Sequence, residues 1–337
     1  MPLAFVAFLV SCQEFLYQTE ENVSVCKIIS YNVYYKKVKA KIILWRFFMK
    51  KFYFLLFTTI ITVVFFSCKS SSTEPAQPTP FDNADGIKGG ILYDKFWATE
   101  ANYSKMTDVN LLAKLNASSD FFRCKQCHAW DLLGSNGSYI NRGPKTSRPN
   151  VSNLNLFTFA KTKSAQELFD GIKKSSGRRD ISYDLTTYNP TTNATAGDQM
   201  PNYSQLLTEA EIWNLVKFLK NEVIDVTQLY DATYTGTYPT GKATFSNTGK
   251  DGNATNGRTY YNNKCTICHG TDGKKIPDLD ATAGMTLGKF VRTKSNEAQH
   301  KIKFGQLGSE MTAFKTTLQE LKDLYKAVAD TTAYPNK

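Results

Sequence analysis

The residues best equipped for chemistry are two cysteine pairs, each followed at once by a histidine. "FFRCKQCHAWDLLG" (121–134) carries Cys124, Cys127 and His128, and "NNKCTICHGTDGKKIPDL" (262–279) carries Cys265, Cys268 and His269. A C-x-x-C pair can clip zinc, cycle as a redox dithiol, or anchor a macrocycle through two thioethers. Zinc needs further Cys or His close by, and each copy offers only two cysteines and the adjacent histidine. A redox dithiol belongs at a helix start within a βαβ pattern, which surrounds neither copy. Two thiols at this spacing can each bond a vinyl group on one edge of a porphyrin. The following histidine then lies beneath the iron. The pattern, present twice, therefore points to two covalently held haems.

The elements that must position these groups also occur twice. "SAQELFDGIKKSSG" follows the first motif and "SNEAQHKIKFGQLG" the second; "DQMPNYSQLLTEAEIWNLVKFL" then parallels "SEMTAFKTTLQELKDLYKAV". Thr208 with Glu211 and Thr317 with Glu320 have capping-box spacing, which predicts two helix starts. Apolar residues at 212, 215, 216 and 219, and again at 321, 324, 325 and 328, recur with helical period and read as core packing. Met200 and Met311 stand at matched points just ahead of these helices, where a thioether can reach the far face of a haem. The chain has only three histidines, 128, 269 and 300, so two bis-histidine haems cannot be built from it. Met106 and Met285 have no counterparts and read as packing, and His300, in "EAQHKIKF", reads as a surface or haem-edge residue.

Between the repeats, "DATYTGTYPTGKATFS" (231–246) alternates weakly about a Pro-Thr-Gly turn and suggests a short hairpin, as linker or decoration. The first repeat is longer, 72 residues from His128 to Met200 against 42 from His269 to Met311. The excess lies in two polar, loop-like pieces, "GSNGSYINRGPKTSRPN" and "RRDISYDLTTYNPTTNATAG".

The front of the chain reads as an export signal. From Met49, Lys50 and Lys51 precede the apolar stretch 52–66, and Ser67 precedes Cys68. That stretch is short for a membrane span of about 20 residues. A Ser/Thr/Pro-rich tether follows, so Cys68 resembles the acylated cysteine of a bacterial lipoprotein, although "FFS" departs from a strict lipobox. Residues 1–48 precede this signal without a clear period and read as a misassigned start, with 49–67 as signal and 68–87 as tether. Net charge is +11, but residues 1–67 hold eight Lys and Arg against three Asp and Glu, leaving +6 for the remainder. No basic run of the sort that tracks phosphates survives there, so a nucleic-acid partner is not expected.

Each repeat resembles a class I c-type cytochrome domain. The resemblance rests on the C-x-x-C-H motifs, the axial Met and the closing helix. To these it adds an early Gly with an aromatic four residues on, Gly257 and Tyr261 in the second half and Gly89 and Tyr93 in the first. Cys265 follows Tyr261 by four residues, whereas Cys124 follows Tyr93 by 31, so the first domain holds an insertion. The resemblance implies an all-α fold of two tandem class I cytochrome c domains with a short β-hairpin between them: domains at 88–225 and 251–337, joined by a linker at 226–250. It further implies two c-type haems on Cys124, Cys127, Cys265 and Cys268, with His128, Met200, His269 and Met311 as axial ligands. In the family a proline carbonyl receives the Nδ1–H of the proximal histidine, for which Pro144 and Pro277 are the candidates.

The implied role is electron transfer in the periplasm or cell envelope, from a lipid anchor on a bacterial membrane, through transient contacts with redox partner proteins. An enzyme is the less favoured reading. It would be a peroxidase- or thiosulfate-oxidising type, with an anionic substrate held by Arg142, Lys145, Arg178 and Arg179. The third reading is the cytochrome subunit of a dehydrogenase complex.

Overall fold

In a computed structural model that describes residues 79–97 and 108–337, each half of the protein is closed by the crossing of its first and last helices. Cys68, the segments 1–48 and 49–67, most of the tether and Met106 lie outside the described residues. In the first half, Gly86–Lys95 (α1) starts at Asp85, whose side chain accepts from the N–H groups of Ile87 and Lys88. Insertion helix Val109–Ala117 (α2), motif helix Cys124–His128 (α3), and Leu156–Thr162 (α4) and Ala165–Lys173 (α5) follow. Ala194–Asp198 (α6) precedes the closing helix Glu209–Lys217 (α7), which runs on into a π-type turn at Phe218–Glu222. Strands Asp231–Thr235 (β1) and Lys242–Ser246 (β2) form an antiparallel hairpin with Asp231 opposite Ser246. The second half holds Ala254–Lys264 (α8), Thr266–His269 (α9), Leu287–Thr293 (α10), Ser295–Phe304 (α11) and Leu318–Val328 (α12).

The two crossings are built alike. A Cβ on Gly89 would lie 1.9 Å from the Asn214 carbonyl oxygen, and one on Gly257 would lie 1.8 Å from that of Asp323. Only glycine lets the helix backbones approach this closely. At each helix start the backbone N–H donates across the crossing: Asp85 to Asn214 Oδ1 and Asn253 to Asp323 Oδ1, both at 2.8 Å. The expected capping boxes form on α7 and α12, and a third, from Ser164 and Glu167, opens α5. Ile212, Leu215, Val216 and Leu219 enter the first core, and Leu321, Leu324, Tyr325 and Val328 the second, as their period predicts. Met285 is also core, beside Tyr261 and Phe290.

The first half absorbs its extra sequence by bracing it. Trp97 Nε1 donates to Asn116 Oδ1 at 2.9 Å, closing the insertion, and Lys114 Nζ donates to the carbonyls of Ile181 and Tyr183. Residues 180–199 bulge as a loop between Arg179 and Met200, whose backbones pair at its neck: Arg179 N–H donates to the Met200 carbonyl at 2.9 Å.

The hairpin is docked at both ends. Tyr238 at its tip donates to Asn150 and receives the Val151 N–H, and Gly241 abuts Ile140, all in the first half. At its base Phe245 packs edge-on against Tyr230, in the second core.

The described residues form one compact unit, and α11 joins its halves. Phe304 belongs to the core of the first half, and a Cβ on Gly90 of α1 would strike its ring. Gln299 Nε2 donates to the Trp130 carbonyl at 3.0 Å, and Lys303 pairs with Glu222 at 2.9 Å. His300 is therefore not a surface residue: it is 2 % exposed, its ring centroid 4.7 Å from those of both Trp130 and Phe304 and 6.0 Å from Tyr93. Aromatic walls from the first half close over it because α11 crosses into that half.

Candidate haem centres

The short helix α3 presents its motif to a cavity of about 480 Å³, within the range usual for cofactor sites. Cys124, Cys127, His128 and Met200 all line it. Most of the rest of the wall is apolar, with Leu168 from α5 and Leu215 from α7. The site thus brings Met200 to Cys124 across 76 positions of chain, and it does so through the loop pinned at Arg179 and Met200.

One hydroxyl fixes each motif. Tyr93 donates to the carbonyl of Ala129, the residue after His128, and Tyr261 donates to that of Gly270, the residue after His269, both at 2.6 Å. These tyrosines are the aromatics four residues after Gly89 and Gly257, so the helix crossing and the motif are set by one stretch of chain. The residue after each histidine is also bent alike. Ala129 has φ 63°, ψ 172° and Gly270 φ 77°, ψ 171°, a conformation that suits glycine and strains any side chain. Replacing Ala129 by glycine is expected to raise stability by about 1 kcal/mol, the strain relieved exceeding the added unfolded-state entropy. A higher urea midpoint with unchanged slope checks it.

Electrostatics keep the groups neutral until they bond. Burial pushes the thiols up, Cys124 to about 11, Cys127 to about 12 and Cys265 to about 12. Burial also takes the His128 imidazole down to about 4, with Arg178 adding to the effect, and lowers His269. A neutral imidazole is the form that ligates a metal. His128 Nδ1 and His269 Nδ1 are buried without a hydrogen-bond partner among the described residues. The carbonyls of Pro144 and Pro277 therefore do not receive them. Pro144 lies just ahead of the turn closed by the Lys145–Arg148 bridge, and Pro277 is exposed on a loop.

In the second half Cys265, Cys268 and His269 repeat this arrangement at the end of α8 and along α9. His269 is buried, Cys265 half-buried and Cys268 exposed beside Ile267, an apolar side chain 81 % exposed. Met311 is half-buried on the loop between α11 and α12. Its carbonyl accepts from Gln306 N–H at 2.8 Å and its N–H donates to Ser309 Oγ at 3.2 Å. Among the described residues no hydrogen bond joins that loop to His269, just as none joins the Met200 loop to His128.

The cationic loop residues do not gather at one point. Arg178 lines the cavity, but Arg142 bonds Gln126 and faces Asp120, Lys145 is exposed, and Arg179 is buried against backbone carbonyls. The burial of His300 and of Arg179 was not readable from sequence; the i, i+4 pair His300 and Phe304 in a polar helix is the signal nearest to it.

Both thiols, a neutral histidine and a methionine in one apolar wall fit a haem bonded to the chain, and among the described residues no group of three Cys, His, Asp or Glu could close a metal site instead. Fold and site define a helical protein that carries covalent haem. The family model for cytochrome c matches residues 118–222 and 254–328, more than half of the chain, and the chain belongs to the cytochrome c family as a haem-binding electron-transfer protein with tandem domains. No curated protein and no solved structure matches it.

Proposed function

We propose that the protein is a di-haem electron carrier of the bacterial cell envelope. Cys124 and Cys127 bind one haem and Cys265 and Cys268 the other, with His128 and His269 below the irons and Met200 and Met311 above them. Bound in this way, each iron would exchange one electron without opening a coordination position. The chain's contribution is to orient and to exclude water. Tyr93 and Tyr261 hold the turn after each histidine, and the Arg179–Met200 backbone bond holds the methionine loop. Removal of 49–67 and acylation of Cys68 would tether it to a membrane, where redox partner proteins meet it over small, short-lived interfaces. No nucleic acid takes part.

The observation that carries this reading is the single cavity holding Cys124, Cys127, His128 and Met200. Intact mass and a pyridine haemochrome assay on exported protein are expected to give two haems, both thioether-linked, and an acylated N-terminus. Met200→Ala and Met311→Ala should each abolish the weak near-red band of one ferric haem and let that haem, once reduced with dithionite, bind CO. Retention of the full band in either variant rejects that ligand.

A further inference from the structure

The repeat supplies an internal control at the methionine loops. In each half a backbone N–H just past the preceding helix donates to the carbonyl of the methionine: Arg179 to Met200 at 2.9 Å and Gln306 to Met311 at 2.8 Å. The backbone role is the same, and the side chains differ by a full charge. The Arg179 guanidinium is buried, donating to the carbonyls of Gly197 and Phe121 and lying 5.5 Å and 5.2 Å from the rings of Phe121 and Phe122. Among the described residues it forms no ion pair. Burial lowers its pKa, but a guanidinium starts so high that it stays ionised at neutral pH. Gln306 is neutral, its Nε2 donating to the Leu307 carbonyl.

We propose that Arg179 raises the reduction potential of the first-domain haem above that of the second, so that a singly reduced protein holds its electron in the first domain. The ferric state carries one more positive charge than the ferrous, and a nearby buried cation disfavours it. Arg179 stands behind the cavity wall, near enough for its charge to act on Cys127, whereas Arg178 and the carboxylates Glu167 and Asp198 line the cavity itself; each of these is more exposed than Arg179, and the field of exposed charges is screened most. Arg123, also on that wall, is neutralised by Asp94. This inference rests on the two-haem reading, which the haem count of the unaltered protein tests separately.

The experiment is a spectroelectrochemical titration of the holoprotein, with the near-red band recorded alongside. Arg179→Gln, which copies the second domain's residue, is expected to lower one midpoint potential, leave the other in place and keep both methionine bands. Arg179→Lys should retain most of the difference. Unmoved potentials in Arg179→Gln overturn the proposal, and so does a potential that falls only together with loss of the band, since Arg179 would then merely position Met200. Should Arg179→Gln fail to fold, Arg179→Met, which keeps the length without the charge, decides: a lowered first potential with the band kept supports the proposal, an unchanged one rejects it.

Discussion

Gly257→Val is expected to leave the second domain unfolded, and Gly89→Val to do the same to the first. At Gly257 the added Cβ would stand 1.8 Å from the Asp323 carbonyl oxygen and 2.9 Å from the Leu324 nitrogen; at Gly89 it would stand 1.9 Å from the Asn214 carbonyl oxygen. These are backbone atoms in the closing helices, so no side chain can swing away and the helices must part. Parting them breaks the Asn253 N–H bond to Asp323 and draws Tyr261 off the Gly270 carbonyl, so packing and the motif turn fail together. The cost is on the order of 4 kcal/mol, large against the few kcal/mol by which domains are stable. Far-UV circular dichroism and haem content of the variants check it.

Stability should fall steadily as pH drops from about 6.5 to about 3, and His300→Phe should remove one proton's worth of that slope. Burial, the first cause, takes the His300 imidazole from 6.5 down to about 3. Asp94 opposes the shift, and Lys301 and Lys125 add to it. Neither ring nitrogen makes a well-formed hydrogen bond, although the Gly90 carbonyl bears on the ring. The unfolded chain therefore takes up a proton across that window while the folded one does not, and the folded state loses about 1.4 kcal/mol per pH unit through this group. Above about 6.5 the contribution is complete and flat. Phenylalanine fits among Trp130, Phe218 and Phe304 without a polar nitrogen, so the variant should match or exceed the parent at neutral pH and surpass it increasingly in acid. Urea midpoints at several pH values for the two proteins give the difference; parallel curves would place the acid sensitivity in other groups.

What the sequence made legible was what repeats locally. The C-x-x-C-H turns, the capping boxes at Thr208 and Thr317 and the apolar rows on α7 and α12 depend on neighbours within a few positions, so type and spacing reveal them. Gly89 with Tyr93 and Gly257 with Tyr261 were legible because one helix turn carries both a close crossing and a hydroxyl. The hairpin at 231–246 was visible in its alternation, but its docking to Asn150 and Phe245's partner Tyr230 was not. The reach of α11 was hidden for a firmer reason. "SNEAQHKIKF" is polar, and its burial comes from Trp130, Tyr93 and Phe218, which lie 82 to 207 positions earlier and leave no local trace. Likewise the two prolines were sought as acceptors by analogy, and the chain sets one just ahead of a turn and leaves the other exposed.

The helix shared between halves bears on how the protein is made. Synthesis delivers the first half's closing segment, through Glu222, well before Ser295–Phe304 exists. Until then Gly90, Tyr93, Trp130 and Phe218 surround a hollow that only His300 and Phe304 will fill. A chain made from its N-terminus would thus keep its leading lobe ajar until its trailing lobe emerged, leaving Cys124 and Cys127 within reach for longer.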